Sequence, residues 1–467
     1  MTIPKLKTRV RFAPSPSGNL HLGNARTALF NWLFAKKNNG EFILRIEDTD
    51  SSRSSEEHSQ ALMDILDWLN LVPNESPNHG GDYGPYKQSE RKNIYQKIIK
   101  IMIQEKKAFW SPSEMGTVKR FDQEWRDECL SKEEAEKIGP SALRFKSARD
   151  NKVEINDLLK GKIKVNTKQI GDFVIARNDL NPLYNFACVV DDHLMEISHV
   201  IRGEDHLTNT AKQIQIYKTL GWEPPKFIHL PLVMGPDGSP LSKRHGDVSV
   251  EKFKEQGFLP ESIINSLAML GWGPGDDREI FSKEEISELF KVEKLNISPS
   301  KFFPKKLQWF NGQHIRRLQK EKLKKISIKK LREKNIEIGE ADLSKLIDLV
   351  QDRLRNLNDI VPMIGFFFKK PDLQIVLKNL KNFDTKSEKK LKELLVEIEK
   401  IKNWSKGNLE EKLEKWRSQN DYHPKEIWQP LRIVLSGEKV SPPIFDTLEL
   451  LGKEEVSSRL EKTIELF

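Results

Sequence analysis

The sequence predicts an α/β protein built on a doubly wound parallel sheet and followed by a separate all-helical module. Three observations carry this. First, RVRFAPSP alternates apolar and polar residues and stops at Pro14 and Pro16, which reads as a short strand leaving into a loop. Second, NARTALFNWLFAKKN places Ala25, Leu29, Trp32 and Leu33 at helical spacing, and GEFILRIED follows as an apolar run of strand length. Strand, glycine-bearing loop, helix and strand in succession make a βαβ unit, and such units imply a parallel sheet. Third, past Phe310 the texture changes to lysine-rich, helix-periodic runs such as RRLQKEKLKKISIKKLREK.

The remaining elements fall in order between these anchors. Residues 1–87 hold the first half of the sheet, and 88–185 read as mixed α/β with charged helices such as SERKNIYQKIIKIMIQ. Residues 186–235 return to the sheet, with VVDDHLMEISHVIRGEDH expected as a strand and loop and IHLPLVM as a further strand. Residues 236–320 form a connecting region that opens on GPDGSPLSKRHGDVS. Glycine and proline mark that stretch as a turn-rich, exposed, positively charged loop. The helical module occupies 321–467.

Composition narrows the classes of function. The chain has 467 residues, 37% hydrophobic and 31% charged, and no run of about 18 apolar residues, so it is expected to be soluble with no membrane-spanning helix. MTIPKLKTRVRF lacks the apolar stretch of a secretory leader. The two cysteines, Cys129 and Cys188, stand far apart and outside any CxxC pattern. They argue for a reducing compartment, with the cytoplasm as the expected address, and against a disulfide scaffold or a Cys-based zinc site. A formal net charge of +9 is compatible with a polyanionic partner without identifying one.

Two loops carry the chemistry. In PSPSGNLHLGNA, Gly18 and Gly23 permit close backbone approach, and the helix that begins near Asn24 aims free N–H groups and its positive dipole end at whatever sits there. His21 precedes that helix and is able to donate to phosphate oxygens; the plainer reading is an ordinary βα turn with an exposed histidine. More than two hundred residues later, Lys243, Arg244 and His245 stand side by side in the second loop.

Together these loops resemble the paired signatures of class I aminoacyl-tRNA synthetases: His21-Leu22-Gly23-Asn24 is similar to HIGH, and Leu241-Ser242-Lys243-Arg244 to KMSKS. RFAPSPSGNLHLGNARTALFNWLFA, FILRIEDTD, GPYKQSER, YNFACVVDDH, HVIRGEDH and PLSKRHGDVSV resemble, in order, the bacterial glutamyl-tRNA synthetase family. The resemblance extends to QPLRIVLSGEKVSPPIFDTLELLG near the C-terminus. It implies a Rossmann-like catalytic domain in two halves, an inserted acceptor-binding domain at 88–185, a stem-contact region with the KMSKS-like loop at 236–320, and an anticodon-binding module at 321–467. The implied reaction joins glutamate to ATP with loss of pyrophosphate, then passes the glutamyl group to the terminal adenosine of tRNA(Glu).

Residue roles follow from the same resemblance. His21, Gly23, His206, Ser242 and Lys243 would hold ATP, with His21, Lys243 and Arg244 acting on the triphosphate as it reacts. Arg11 would grip the substrate side-chain carboxylate, since a guanidinium pairs with a carboxylate through two parallel hydrogen bonds. Ala13, Ser15, Glu47, Tyr184, Cys188 and Arg202 would complete the glutamate pocket, with Glu47 facing the ammonium. As plainer readings, Arg11 is a surface strand residue, Glu47 belongs to a solvated acidic turn, and Cys188 is a small buried hydrophobe. Mg²⁺ is expected with the ATP. Where the family pattern opens KMSKS with lysine, this chain has Pro240, which removes a cation and stiffens the loop.

Some relatives bind zinc in the insert, but AFWSPSEMGTVKRF offers no cysteine or histidine, so no zinc is expected. In the helical module the lysines read chiefly as solvated faces. The resemblance points to Arg353, Arg432 and Ser441 as readers of anticodon bases. It associates arginine at 353 with enzymes that charge tRNA(Glu) alone. Two alternatives remain open: an enzyme that also charges tRNA(Gln), and a non-catalytic tRNA-binding relative. A monomer is the implied state.

Overall fold

The computed structural model describes residues 7–49, 55–112, 123–149, 151–246, 248–338, 343–381 and 387–466. The chain divides into two compact units, Met1–Glu255 with Pro260–Leu307, and Gln256–Leu259 with Gln308–Phe467. The longer strands of the first unit are, in chain order, β1 (Arg9–Phe12), β2 (Glu41–Leu44), β3 (Ala108–Ser111), β4 (Ala142–Phe145), β5 (Lys152–Asp157), β6 (Gly161–Asn166), β7 (Phe173–Arg177), β8 (His199–Gly203) and β9 (Lys226–Leu230).

The expected βαβ unit is present. β1 and β2 pair in parallel, from Arg9 opposite Glu41 to Phe12 opposite Leu44, with the Leu22–Lys37 helix between them. That helix starts where His21 accepts the Gly23 N–H on Nδ1, and it buries Ala25, Leu29, Trp32 and Leu33. Lys36 and Lys37 in its last turn suit the negative end of the helix dipole. β8 and β9 are parallel as well, bridged by the Leu207–Thr219 helix. The Ser198 amide, just ahead of β8, donates to the Arg9 carbonyl at 3.0 Å, which sets the β8 end of one ladder beside β1.

Two features depart from the sequence expectation. VVDDHL is helical rather than strand: it ends the Tyr184–Leu194 helix, and β8 begins only at His199. The acidic pair looked like a loop because carboxylates seldom bury fully. Here Cys188, Asp191 and Asp192, at i, i+3 and i+4, share a buried helix face. The second departure lies in 88–185. β3, β4 and β7 form an antiparallel sheet of their own, but the β5–β6 hairpin joins β9 through Asp157 opposite Phe227. Thus part of the stretch read as an insert lies in the sheet that contains β8 and β9.

The second unit is helical throughout its described residues from 308 onward, ending in the Lys453–Ile464 helix. Its apolar side chains gather in two clusters, one including Leu323, Leu346 and Ile360, the other Leu394, Leu413, Leu431 and Leu448. No described helix is long and apolar enough to cross a membrane.

Candidate active site

A cavity of about 750 Å³ opens at the carboxyl ends of β1 and β8, where ligands bind in open α/β sheets. Arg11, Ala13 and Ser15 line it from the end of β1, and His21 and Gly23 from the start of the following helix. Glu47 enters from beyond β2, Tyr184 from the start of its helix, and Arg202 and His206 from the end of β8.

The second loop reaches the same cavity. Its backbone bridges the first loop at His21 and Ser249, where the Leu22 amide donates to the Val248 carbonyl at 3.2 Å and the Val250 amide to the Leu20 carbonyl at 2.9 Å. Pro240 and Leu241 form part of the cavity wall. Pro240 costs the loop no hydrogen bond, because the flanking groups make them: Gly235 N–H to the Ser239 carbonyl at 2.7 Å and Leu241 N–H to the Val233 carbonyl at 2.9 Å. Ser242 and Arg244 are not on that wall. The Ser242 amide donates to His245 Nδ1 at 3.1 Å, and Arg244 is exposed 3.9 Å from Asp237. The Lys243 side chain lies outside the described residues. His245 is tied to Asp237, its Nε2 3.0 Å from the carboxylate, so it is no free third cation of the loop.

Beneath the cavity floor lies a charge network that the sequence reading missed. Arg11 pairs with Asp192 through Nε at 3.0 Å and Nη2 at 3.3 Å. Arg45, fully buried, reaches Asp192 at 2.7 Å and Glu47 at 3.0 Å, and its Nε lies 3.7 Å from Asp191. Asp191 also accepts from Gln88, Arg91 and Tyr95. Guanidinium groups 11, 45 and 91 thus face carboxylates 47, 191 and 192, and the cluster is balanced in charge. Burial opposes ionisation of Asp192, but Arg11 and Arg45 prevail and hold it down to about 2. The available signal was FILRIEDTD and CVVDDH, motifs in which only the neighbouring residues had been assigned.

Cys188 is not on the cavity wall but lies behind Arg11, which is. It is 1% exposed, and its sulfur packs against Arg11 at 3.9 Å and Arg45 at 3.7 Å. Burial, reinforced by Asp192, pushes the thiol up to about 12, so it stays protonated and unreactive.

Arg202 lines the cavity without a carboxylate partner among the described residues. Its hydrogen-bond partners are neutral: Tyr184 Oη at 3.2 Å, Thr210 Oγ1 at 2.6 Å and Gln213 Oε1 at 2.7 Å. Its Nε has no hydrogen-bond partner among the described residues. Burial and the Arg202 charge lower His206 to about 4, and burial raises the Tyr184 hydroxyl well above its usual value. The neutral His206 ring therefore accepts the Tyr184 proton on Nδ1 at 3.0 Å, and the phenol oxygen turns a lone pair to Arg202.

Burial raises Glu47 above the ordinary carboxylate value even with Arg45 beside it. The ammonium that the resemblance assigns to Glu47 would need that carboxyl ionised. Affinity for an amino acid is therefore expected to fall as pH drops through this raised value, above the pH where an exposed glutamate titrates. Calorimetric titration of glutamate across acid pH checks this, and Glu47→Gln should weaken binding at neutral pH and remove that part of the pH dependence.

In the second unit the anticodon candidates come together. Arg432 donates through Nη1 to Ser441 Oγ at 2.7 Å, the Ser441 carbonyl at 3.1 Å and the Pro442 carbonyl at 2.6 Å. Burial, and then the nearby charge of Arg353, lowers the Arg432 guanidinium from its ordinary value. Arg353 is exposed at the end of the short Gln351–Arg353 turn. Neither arginine forms an ion pair among the described residues. Residues 113–122, which hold most of the stretch considered for zinc, lie outside the described residues. Among those described, no group of three or more His, Cys, Asp or Glu is placed to hold a metal ion.

Comparison with known proteins follows the same division of the chain. Residues 7–309 match the family described as tRNA synthetases class I (E and Q), catalytic domain, and residues 305–464 match an anticodon binding domain. Glutamate–tRNA ligase 2 of Caldicellulosiruptor saccharolyticus is 40% identical over 478 residues, covering 98% of this chain and 99% of that protein. The glutamate–tRNA ligase of Elusimicrobium minutum is 39% identical over 485 residues, with 98% and 99% covered. Among solved structures, a glutamate tRNA ligase from Elizabethkingia meningosepticum, crystallised in complex with its amino acid, superposes with a TM-score of 0.81 at 36% identity. That match covers 98% of this chain and 99% of that one. The Elizabethkingia anophelis glutamate-tRNA synthetase gives 0.80 at 36% identity, with 98% and 100% covered. From catalytic region to helical tail, the chain belongs to the class I tRNA synthetases of the glutamate and glutamine (E and Q) family.

Proposed function

We propose that this chain is a glutamate–tRNA ligase. The observation that carries the reading is that one cavity is lined both by the His21 helix start and by Arg202, a cation without a carboxylate partner. A carboxylate oxygen of glutamate attacks the α-phosphorus of ATP, and pyrophosphate leaves with the bond it held. The terminal adenosine hydroxyl of tRNA(Glu) then attacks the activated carbonyl, and AMP leaves.

In this reading the helix N-terminus and His21 hold phosphate oxygens, where the dipole and free N–H groups favour negative charge. ATP arrives with Mg²⁺ as part of the substrate, since the phosphates themselves supply oxygen ligands. Ser242, Lys243 and Arg244 act from the second loop, which bridges the first through its backbone. That Ser242 and Arg244 stand off the cavity wall suits a lid that closes when the triphosphate binds. Arg202 takes the substrate side-chain carboxylate, supported by Arg11, and Glu47 takes the ammonium. Arg353, Arg432 and Ser441 read the anticodon, and the clustering of two unpaired guanidinium groups supports that role. The enzyme works as a cytoplasmic monomer without zinc.

The test is charging of purified tRNA(Glu) and tRNA(Gln) with labelled glutamate, alongside ATP–pyrophosphate exchange with and without tRNA. Charging of tRNA(Glu), with exchange that depends on it, is the expected result. Failure to charge either tRNA sinks the proposal, and charging of both reassigns Arg353.

A further inference from the structure

Behind Arg202 runs a line of buried groups, none of which lines the cavity. It starts at Asp157, the last residue of β5. One of its oxygens accepts the amides of Leu159 at 2.9 Å and Lys160 at 2.7 Å, and the other accepts the His229 amide at 2.9 Å. A carboxyl surrounded by donors in this way is ionised. Burial opposes the charge, but His229 and the two amides outweigh it and hold Asp157 below the usual range.

Asp157 therefore receives the His229 Nδ1 proton, 2.7 Å away, which fixes the tautomer of a ring that is 0% exposed. Burial keeps that ring neutral, helped by the Arg202 charge. His229 Nε2 is left as a bare acceptor, and among the described residues the hydroxyl that reaches it is Thr210 Oγ1 at 2.7 Å. Thr210 has a single proton and two claimants, since the His206 carbonyl lies 3.1 Å from the same oxygen. Giving it to that carbonyl would leave two lone pairs facing each other at the ring. With the proton committed to His229, the Thr210 oxygen accepts from Arg202 Nη2 at 2.6 Å.

We propose that His229, oriented by Asp157, is a positioning residue for substrate recognition: it sets the Thr210 hydroxyl as an acceptor and so holds the Arg202 guanidinium in one orientation at the cavity wall, with an Nη1 proton left for a substrate carboxylate. Without that hydroxyl Nη2 would be held by Gln213 alone, and Tyr184 at Nη1 would be the other anchor of the fork. This inference rests on the reading of the cavity as a glutamate site.

The experiment uses the full-length protein in tRNA-supported ATP–pyrophosphate exchange, with glutamate and ATP titrated separately. Thr210→Val keeps the shape and removes the hydroxyl. It is expected to raise the glutamate KM by about tenfold, the scale of one hydrogen bond to a charged group, with the ATP KM unchanged. Thr210→Ser, which restores the hydroxyl, should return the glutamate KM to near the parent value. His229→Asn should raise the glutamate KM in the parent protein and add nothing in the Thr210→Val background, because it acts through that hydroxyl. An unchanged glutamate KM in Thr210→Val overturns the proposal, as does His229→Asn acting equally in both backgrounds. If His229→Asn fails to fold, the valine and serine variants at 210 decide alone. A parent protein without glutamate-dependent exchange would defeat the substrate reading itself, whereas an active parent with a normal Thr210→Val variant defeats only the relay.

Discussion

Arg202→Ala is expected to lower kcat/KM for glutamate by about a thousandfold, with the ATP KM little changed. The size follows from removing one member of a buried, hydrogen-bonded charge pair, which costs roughly 2–5 kcal/mol or more. The effect is assigned to Arg202 rather than to Arg11, Arg45 or Arg91 because those three already hold carboxylates: Arg11 and Arg45 both hold Asp192, and Arg91 holds Asp191. Arg26, on the same wall, has its Nη1 and Nη2 engaged by the Leu270 and Pro231 carbonyls. An arriving carboxylate must compete with those partners, whereas at Arg202 it meets neutral ones. Arg202→Lys keeps a charge but loses the planar fork that Tyr184, Thr210 and Gln213 hold, so it should recover only a small part of the loss. Steady-state exchange with each substrate varied in turn checks both variants. A loss below about tenfold, one lost hydrogen bond rather than a lost charge pair, would move the substrate carboxylate to Arg11.

Arg45→Met is expected to destabilise the first unit by about 3–5 kcal/mol, because it strands carboxylates in the protein interior without their common partner. Arg45 is 0% exposed and contacts both Asp192 and Glu47, so methionine replaces its aliphatic stem but matches none of the charge. The second variant, Arg45→Met with Asp192→Asn, removes a stranded charge and should recover part of the loss. Hydrogen exchange resolves the two units separately. Amides of β1 and β2 should lose protection in the single variant, while those of the Pro424–Ser436 helix keep theirs. A single variant within about 1 kcal/mol of the parent would mean that water or a shifted Arg11 replaces Arg45, and the network would then be surplus to folding.

Legibility in the sequence divides along physical lines. The first βαβ unit was readable because its signals are local: alternation up to Phe12, helical spacing from Ala25 to Leu33, and an apolar run at Phe42–Leu44. The helical second unit was readable for the same reason. The cavity residues at strand ends came from motif resemblance, and the structure gathers His21, Glu47, Tyr184 and Arg202 around one space. The charge network was not readable. Arg45 and Asp192 are 147 positions apart, and either residue alone carries the pattern of a solvated position. Nor does a local period reveal that Asp157 pairs beside Phe227, since strand register across a sheet is a long-range property. The motif likewise does not show that Cys188 lies against Arg11 and Arg45 rather than on the cavity wall, since one turn of helix decides which of these a side chain meets.

The hairpin of β5 and β6 bears on how this molecule tolerates rearrangement. Cutting out 88–185 as a cassette, or grafting a cousin's version in its place, would strip β9 of its outer neighbour and bare the edge that pairs at Phe227. Such a raw border invites another chain to dock on it. Clean seams for a chimera therefore lie on either side of the hairpin, and a swap that respects them leaves the central framework whole.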